Sequence, residues 1–193
     1  ERGYVPLADG RTLYNFLPLY PFMIRLLGFV VHDLALAGFI LSAAFGLAAF
    51  YYLYRLTEKE FGKGVAKKAV ALLLFFPTAF FFTALYTEAM FLALAVASFY
   101  YTRSGNFLYA GVIAFFLPFV RIVGLLFWLV LVVEYISQSG VLKTRKIKLA
   151  KNELGVLIAL VGVAAFFAFS FYNTGTIFGY ANQQNLWSRT MSS

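Results

Sequence analysis

The sequence predicts an all-α fold: a polytopic membrane helical bundle of about six transmembrane helices, with one further helix at the membrane interface. Three observations lead to this fold class. The chain of 193 residues is 62% hydrophobic and 20% aromatic, whereas soluble domains are roughly 45–50% apolar. Long apolar runs recur along it, and residues 34–54 and 154–171 are close to the length that crosses a bilayer. Its basic residues cluster between apolar runs, as they do in cytoplasmic loops.

The first 33 residues predict an extracytoplasmic loop that contains an interfacial helix. Residues 1–16 are polar and rich in turn-forming residues, and they lead into the apolar run LPLYPFMIRLLGFVV, which contains Arg25. A short apolar helix with a basic residue suits the plane of the membrane interface, so we expect a helix after Pro21. Asp33 is of a residue type that caps helix N-termini, and it is expected to begin the next helix.

Residues 34–54 predict the first span and residues 154–171 the last. The first run has 21 residues, and at about 1.5 Å each they cover the hydrocarbon core of about 30 Å. The segments 55–68 and 137–152 carry five basic residues each, and the positive-inside rule predicts that both are cytoplasmic loops. Residues 172–193 then lie outside. The whole chain, 1–193, is predicted to be one transmembrane domain.

Residues 69–136 admit two topologies. Two long helices, 69–101 and 107–136, would be about 50 and 45 Å long and would need a strong tilt. Four short helices, 69–85, 89–102, 107–120 and 123–136, instead leave tight outer turns at 86–88 and 121–122. We expect four, because charge at bilayer depth is tolerated where a partner or a water-filled cavity satisfies it. Glu88 and Arg121 should then meet at the floor of an extracytoplasmic recess.

The unusual polar residues fall mostly on the predicted outer side. Arginine binds phosphate through two parallel hydrogen bonds, a carboxylate accepts hydroxyl protons, and aromatic faces stack on sugars or isoprenoid chains. This combination suggests a lipid-linked phosphosugar as ligand. The candidate substrate-binding residues are Tyr20, Arg25, Tyr86, Glu88, Arg121, Gln184, Trp187 and Arg189.

Several classes of site are excluded by what the sequence lacks. It has no cysteine and one histidine, His32, so it cannot form a disulfide, a thiolate metal site or a histidine metal cluster. No Walker loop, Rossmann glycine fingerprint, HExxH or GxSxG sequence occurs. We therefore expect no cofactor, no metal and no cytosolic nucleotide site. The net charge of +8 lies mainly between apolar runs, which indicates membrane lipids rather than nucleic acid as partners.

Five segments resemble one known family. FFPTAFFFTALYTEAMFLAL resembles the proline…Tyr-Ser/Thr-Glu-Ser/Ala-x-Phe segment of the GPI mannosyltransferase II (PIG-V-like) family, which belongs to the GT-C membrane glycosyltransferases. FVRIVGLL resembles its arginine-x-x-glycine helix, and FLPLYPFMIRLL resembles its first outer loop. YNTGTIFGYANQQNLWSR resembles its outer Gln-x-x-Trp-x-Arg segment, and ERGY resembles the end of a motif in which an acidic residue precedes Ala-x-x-Gly-Tyr. The segments occur in the family's order.

The resemblance implies an inverting mannosyltransferase that works on the extracytoplasmic or lumenal face. Its donor would be a polyprenyl (dolichyl) phosphate sugar, and its acceptor a lipid-linked sugar or a glycan. The general base would be an aspartate upstream of Glu1, since Asp9 does not match that position, so the sequence is expected to be part of a longer chain. The absence of an Asn-x-Ser/Thr sequon favours a prokaryotic plasma membrane over the endoplasmic reticulum. A transporter or flippase of lipid-linked sugar and a non-catalytic membrane subunit remain as alternatives.

Overall fold

The computed structural model describes residues 17–139 and 152–180, which form a bundle of α-helices and contain no strand. In chain order the α-helices of this part are α1 (Leu19–Val31), α2 (Leu34–Phe61), α3 (Lys63–Leu74), α4 (Glu88–Arg103), α5 (Phe107–Phe116), α6 (Phe127–Ser139) and α7 (Leu154–Thr174). Short 3₁₀ helices span Ala79–Phe82, Leu117–Phe119 and Ile122–Leu126. The predicted all-α class is confirmed.

The bundle has the surface of a membrane protein. The helices Leu34–Phe61, Ile122–Ser139 and Leu154–Thr174 are long and apolar enough to cross a membrane, and Leu19–Val31 and Phe107–Phe119 are shorter apolar helices. Large apolar side chains such as Phe29, Leu72 and Val133 point outward and are exposed. Extended apolar surface of this kind suits lipid tails rather than water. The count of six spans and the type of membrane stay predictions.

The junction of α1 and α2 is built as the sequence predicts. Asp33 has an extended backbone, and its Oδ1 accepts hydrogen bonds from the backbone N–H groups of Ala35 (2.8 Å) and Leu36 (3.1 Å). His32 ends α1 in the left-handed conformation at φ 60°. α1 begins two residues before Pro21 rather than after it, because proline is tolerated in the first turn of a helix.

The segment 55–68 is helical, so the prediction of a loop there was wrong. α2 continues to Phe61 and α3 begins at Lys63, with a single break at Gly62. Gly62 has φ 85° and ψ 168°, which a residue without a Cβ adopts readily. The residues around it are mainly Lys, Glu, Arg and Ala, which are good helix formers. Their charge does not prevent helix formation.

The four short helices predicted for 69–136 are present, and several of their boundaries differ from the prediction. α3 ends at Leu74 rather than near residue 85, because Pro77 lacks an N–H group and restricts the residue before it. Before α6, residues Ile122–Leu126 form a 3₁₀ helix. α4 has 16 residues and is about 24 Å long, so two long continuous helices are excluded.

Glycines allow α5 and α7 to touch backbone to backbone. A Cβ added to Gly111 would overlap the carbonyl group of Gly155, and one added to Gly155 would overlap the carbonyl of Phe107. A Cβ on Gly162 would lie 2.6 Å from the Cα of Phe115. Small residues at helix interfaces are typical of membrane bundles, where close packing rather than water exclusion drives association.

Polar contacts hold the end of the bundle at which α4 terminates. Arg103 donates two hydrogen bonds to the Glu60 carboxylate, at 2.9 and 2.8 Å, and a third to Glu134 Oε1 at 2.8 Å. Asn152 donates to the Gly105 carbonyl at 2.6 Å and accepts from the backbone N–H of Leu108 at 3.2 Å. This end therefore joins α2, α4, α5 and α6, and Glu88 lies at the opposite end of α4.

Candidate functional site

Two breaks in the helical backbone position the charged residues of the candidate site. Glu88 is the first residue of α4, where the positive end of the helix dipole favours a carboxylate. Arg121 follows α5 and has an extended backbone, with φ −149° and ψ 142°. Pro118 lies just before it, in the 3₁₀ helix that follows α5, and because proline has no backbone N–H it cannot donate the hydrogen bond that would continue α5.

Gly124 allows the backbone to turn tightly after Arg121. Its backbone N–H donates to the Arg121 carbonyl at 2.8 Å. A Cβ at this position would overlap the backbone carbonyl of Leu117, so no larger residue fits without a shift of the chain. This contact gives a physical reason for a glycine three residues after the arginine.

Glu88 and Arg121 form an ion pair. Arg121 Nη1 donates to Glu88 Oε1 at 2.9 Å across 33 residues of sequence. The guanidinium carbon also lies 5.9 Å from the centre of the Phe91 ring, within the range of a cation–π contact. The two side chains are 43% and 32% exposed, so the pair contributes at most about 1 kcal/mol to stability. The predicted contact is confirmed, and its main effect is to orient the guanidinium.

Arg121 lines a cavity of about 350 Å³. α1, the segment before α4 and the turn around Arg121 form its walls, and Tyr86, Thr87 and Tyr180 are among its lining residues. The Thr87 side chain makes no capping hydrogen bond to α4. The volume is at the lower end of the range of about 300–1,000 Å³ that is common for small-molecule sites.

Glu88 contacts Arg121 but does not itself line the cavity. The residues that line the cavity include Arg121 but not Glu88. Glu88 Oε1 is bound to the guanidinium, and Oε2 is buried with no hydrogen-bond partner among the residues that the structure describes. The carboxylate therefore positions the arginine, and among residues 17–139 and 152–180 no other group accepts a hydrogen bond from the guanidinium.

Tyr20 joins α1 to α2 and lines the same cavity. It is 5% exposed, and its hydroxyl oxygen lies 2.6 Å from Ser42 Oγ, which is fully buried. The hydroxyl is thus engaged within the protein, and the ring is the part that a ligand would meet. Ser42 belongs to a run of small residues in α2 whose spacing indicates packing, and that spacing gives no hint of this hydrogen bond.

Arg25 lies on a neighbouring cleft of about 700 Å³. The cleft shares Tyr20 and Pro21 with the Arg121 cavity, and Ile24 and Phe29 are among its apolar walls. The structure therefore brings Glu88, Arg121, Tyr20 and Tyr86 together and places Arg25 beside them. Gln184, Trp187 and Arg189 lie outside the described residues.

Thr87 and Tyr180 are cavity residues that the sequence analysis did not single out. Thr87 lies between Tyr86 and Glu88, so its position in the predicted outer turn could have identified it as a candidate site residue. Tyr180 follows α7, and only its place on the cavity wall identifies it. Within residues 17–139 and 152–180, no group of three His, Cys, Asp or Glu residues is placed to hold a metal ion.

Comparison with protein-family models, curated proteins and solved structures finds no match for the chain. Membership of the GPI mannosyltransferase II family therefore stays a prediction from the five segments described above. What the structure adds is the fold class, a helical membrane bundle, and the geometry of the charged cavity.

Proposed function

We propose that the protein is a membrane glycosyltransferase of the GT-C type, a mannosyltransferase that moves a sugar from a polyprenyl phosphate to a lipid-linked or glycan acceptor. The reaction would take place on the extracytoplasmic face. The observation that supports this best is an arginine, Arg121, held by Glu88 on the wall of a cavity of about 350 Å³. Tyrosine side chains supply other walls of that cavity.

The spare donors of Arg121 suit a phosphate group. A guanidinium has five N–H donors, and only Nη1 is engaged by another described residue. In the proposed single displacement, the acceptor oxygen bonds to the anomeric carbon while the bond from that carbon to the phosphate oxygen breaks. Negative charge develops on the leaving phosphate, and Arg121 stabilises it. The acceptor proton passes to a carboxylate, which the family resemblance predicts upstream of Glu1.

The other cavity residues suit the sugar and the lipid chain. The hydroxyl groups of Tyr86, Thr87 and Tyr180 can exchange hydrogen bonds with sugar hydroxyls, and aromatic faces pack against the ring carbons. The neighbouring cleft with Arg25 is mainly apolar and begins at Tyr20 and Pro21. A donor with a charged head and a long apolar tail fits such a cavity with an adjoining cleft.

The test is sugar transfer by the full-length protein in membranes, with radiolabelled polyprenyl-phosphate-mannose as donor. Arg121→Ala and Glu88→Ala should each lower turnover at least about tenfold, equivalent to about 1.4 kcal/mol of transition-state stabilisation. Arg55→Ala is the matched control, because the Arg55 side chain is also 43% exposed and lies 3.8 Å from a glutamate, Glu58. Arg55 is near the opposite end of the bundle, so its replacement should leave turnover unchanged.

Two results would contradict the proposal. Wild-type turnover in Arg121→Ala, at equal expression, would remove this residue from the site. Movement of the labelled lipid between leaflets without transfer of its sugar would instead identify a transporter.

A further inference from the structure

The corner between α2 and α3 presents a group of lysines. Lys59 lies near the end of α2, and Lys63, Lys67 and Lys68 lie in the first half of α3. All four are exposed, and no described carboxylate forms an ion pair with any of them. We call these four residues the basic corner.

The acidic residues of the same segment are already engaged elsewhere. Glu60 accepts two hydrogen bonds from Arg103. Glu58 lies 3.8 Å from Arg55 and accepts a hydrogen bond from the Tyr54 hydroxyl at 3.4 Å. These contacts direct the two carboxylates toward other groups, and neither of them forms an ion pair with a lysine of the basic corner.

A cluster of tyrosines marks the level of the membrane boundary next to the basic corner. The hydroxyls of Tyr52 and Tyr101 lie 3.2 Å apart, and Arg55 donates to the Tyr100 hydroxyl at 3.3 Å. Tyrosine is enriched where hydrocarbon meets headgroups. Lys59 follows Tyr52 by seven residues, or about 10 Å of helix, which places the lysines at the depth of the headgroups.

Apolar side chains accompany the lysines and dominate the rest of α3. Phe61 and Val65 lie between these lysines in the sequence and are 71% and 47% exposed. Leu72 and Phe75, farther along, are 74% and 88% exposed. A surface that binds nucleic acid has no need of exposed leucine and phenylalanine, whereas a lipid surface accommodates both the charges and the apolar groups.

We infer that the basic corner binds the headgroups of anionic phospholipids. The lysine ammonium groups contact lipid phosphates, and Phe61 and Val65 enter the upper part of the acyl chains. Each basic residue near an anionic leaflet adds to the attraction, and salt weakens it. This site lies at the opposite end of the bundle from Arg121, and the inference does not depend on sugar transfer.

The test is photo-crosslinking in lipid nanodiscs that contain the full-length protein. A photoreactive phosphatidylglycerol is compared with a photoreactive phosphatidylcholine of the same chain length, and adducts are mapped after chymotryptic digestion. We expect several-fold more adducts on residues 55–75 from phosphatidylglycerol, and a decrease as salt is raised. Replacing the four lysines of the basic corner with glutamine should abolish this preference.

A second quadruple variant is the matched control. Lys143, Lys146, Lys148 and Lys151 are also four lysines in a basic segment, and changing them to glutamine removes the same net charge. This variant should keep the adducts on residues 55–75. Equal labelling by the two lipids would overturn the inference, and so would an equal loss of adducts in both variants, which would indicate an effect of net charge. The readout is lipid binding, so either failure leaves the proposed sugar transfer untouched.

Discussion

Replacement of Gly111 with alanine tests whether α5 and α7 are in backbone contact. The added Cβ would overlap the carbonyl group of Gly155. Gly155 lies in the first turn of α7, and its backbone atoms cannot rotate away as a side chain can, so α5 and α7 must move apart. Their separation also disturbs the cluster in which Ala110, Ala114 and Ala159 pack with Leu117.

The expected loss of stability follows from two opposing effects. Overpacking of a close-packed interface costs about 1–3 kcal/mol, and a clash with backbone belongs at the upper end of that range. Alanine in place of glycine within a helix stabilises the folded state by about 0.5–1 kcal/mol. The net loss is then about 2 kcal/mol, which for a chain of this size lowers Tm by about 4–8 °C.

The assay is thermal unfolding of the purified protein in detergent, followed by intrinsic fluorescence. Gly64→Ala is the matched control, because it adds the same methyl group to a helix where nothing lies within 4 Å of the new Cβ. Its Tm should be equal to that of the wild type or higher, since only helix propensity changes. Equal Tm values for the Gly111→Ala and Gly64→Ala variants would refute backbone contact between α5 and α7.

Two further predictions concern the polar contacts of the bundle. Tyr20→Phe removes one partner of the buried hydrogen bond to Ser42 (2.6 Å) and should cost about 1 kcal/mol, and the double variant with Ser42→Ala should lose less than the sum of the two single losses in a thermal-unfolding cycle. Arg103→Ala leaves the carboxylates of Glu60 and Glu134 close together without their shared partner, so its Tm should fall, and Glu134→Gln in that background should recover part of the loss. An additive cycle for the first pair, or no recovery for the second, would contradict these assignments.

The features that the sequence predicted correctly depend on chemistry that few arrangements satisfy. Asp33 lies between two apolar runs, and aspartate is common at helix N-caps. A short polar side chain there can reach the free N–H groups of the next helix. Glu88 and Arg121 are charged residues in apolar surroundings, and each needs a partner or water. With the intervening helices short enough to return the chain, the pairing of these two residues was the simplest solution.

The features that the sequence did not predict depend on competition between two signals or on packing. At 55–68, the density of charge suggested a loop, while the same residues favour a helix, and only Gly62 interrupts it. Arg25 in the apolar helix α1 and Arg121 in an apolar turn line different cavities. Which cavity each enters depends on how α1 packs against α2 and α4, and no local pattern encodes that packing.

The two ion-paired arginines at the ends of α4 show how geometry separates a structural role from a candidate binding role. Arg103 uses Nε, Nη1 and Nη2 to bind two carboxylates, so its main directions of hydrogen bonding are filled. Arg121 uses Nη1 alone among the described contacts and borders a cavity. A phosphate that approached Arg103 would have to displace Glu60 or Glu134. At Arg121 it would meet donors that no described residue engages, beside a carboxylate that holds the guanidinium in place. The sequence alone does not distinguish the two arginines, and the difference in the donors that described residues engage is the physical reason for placing the proposed anion site at Arg121.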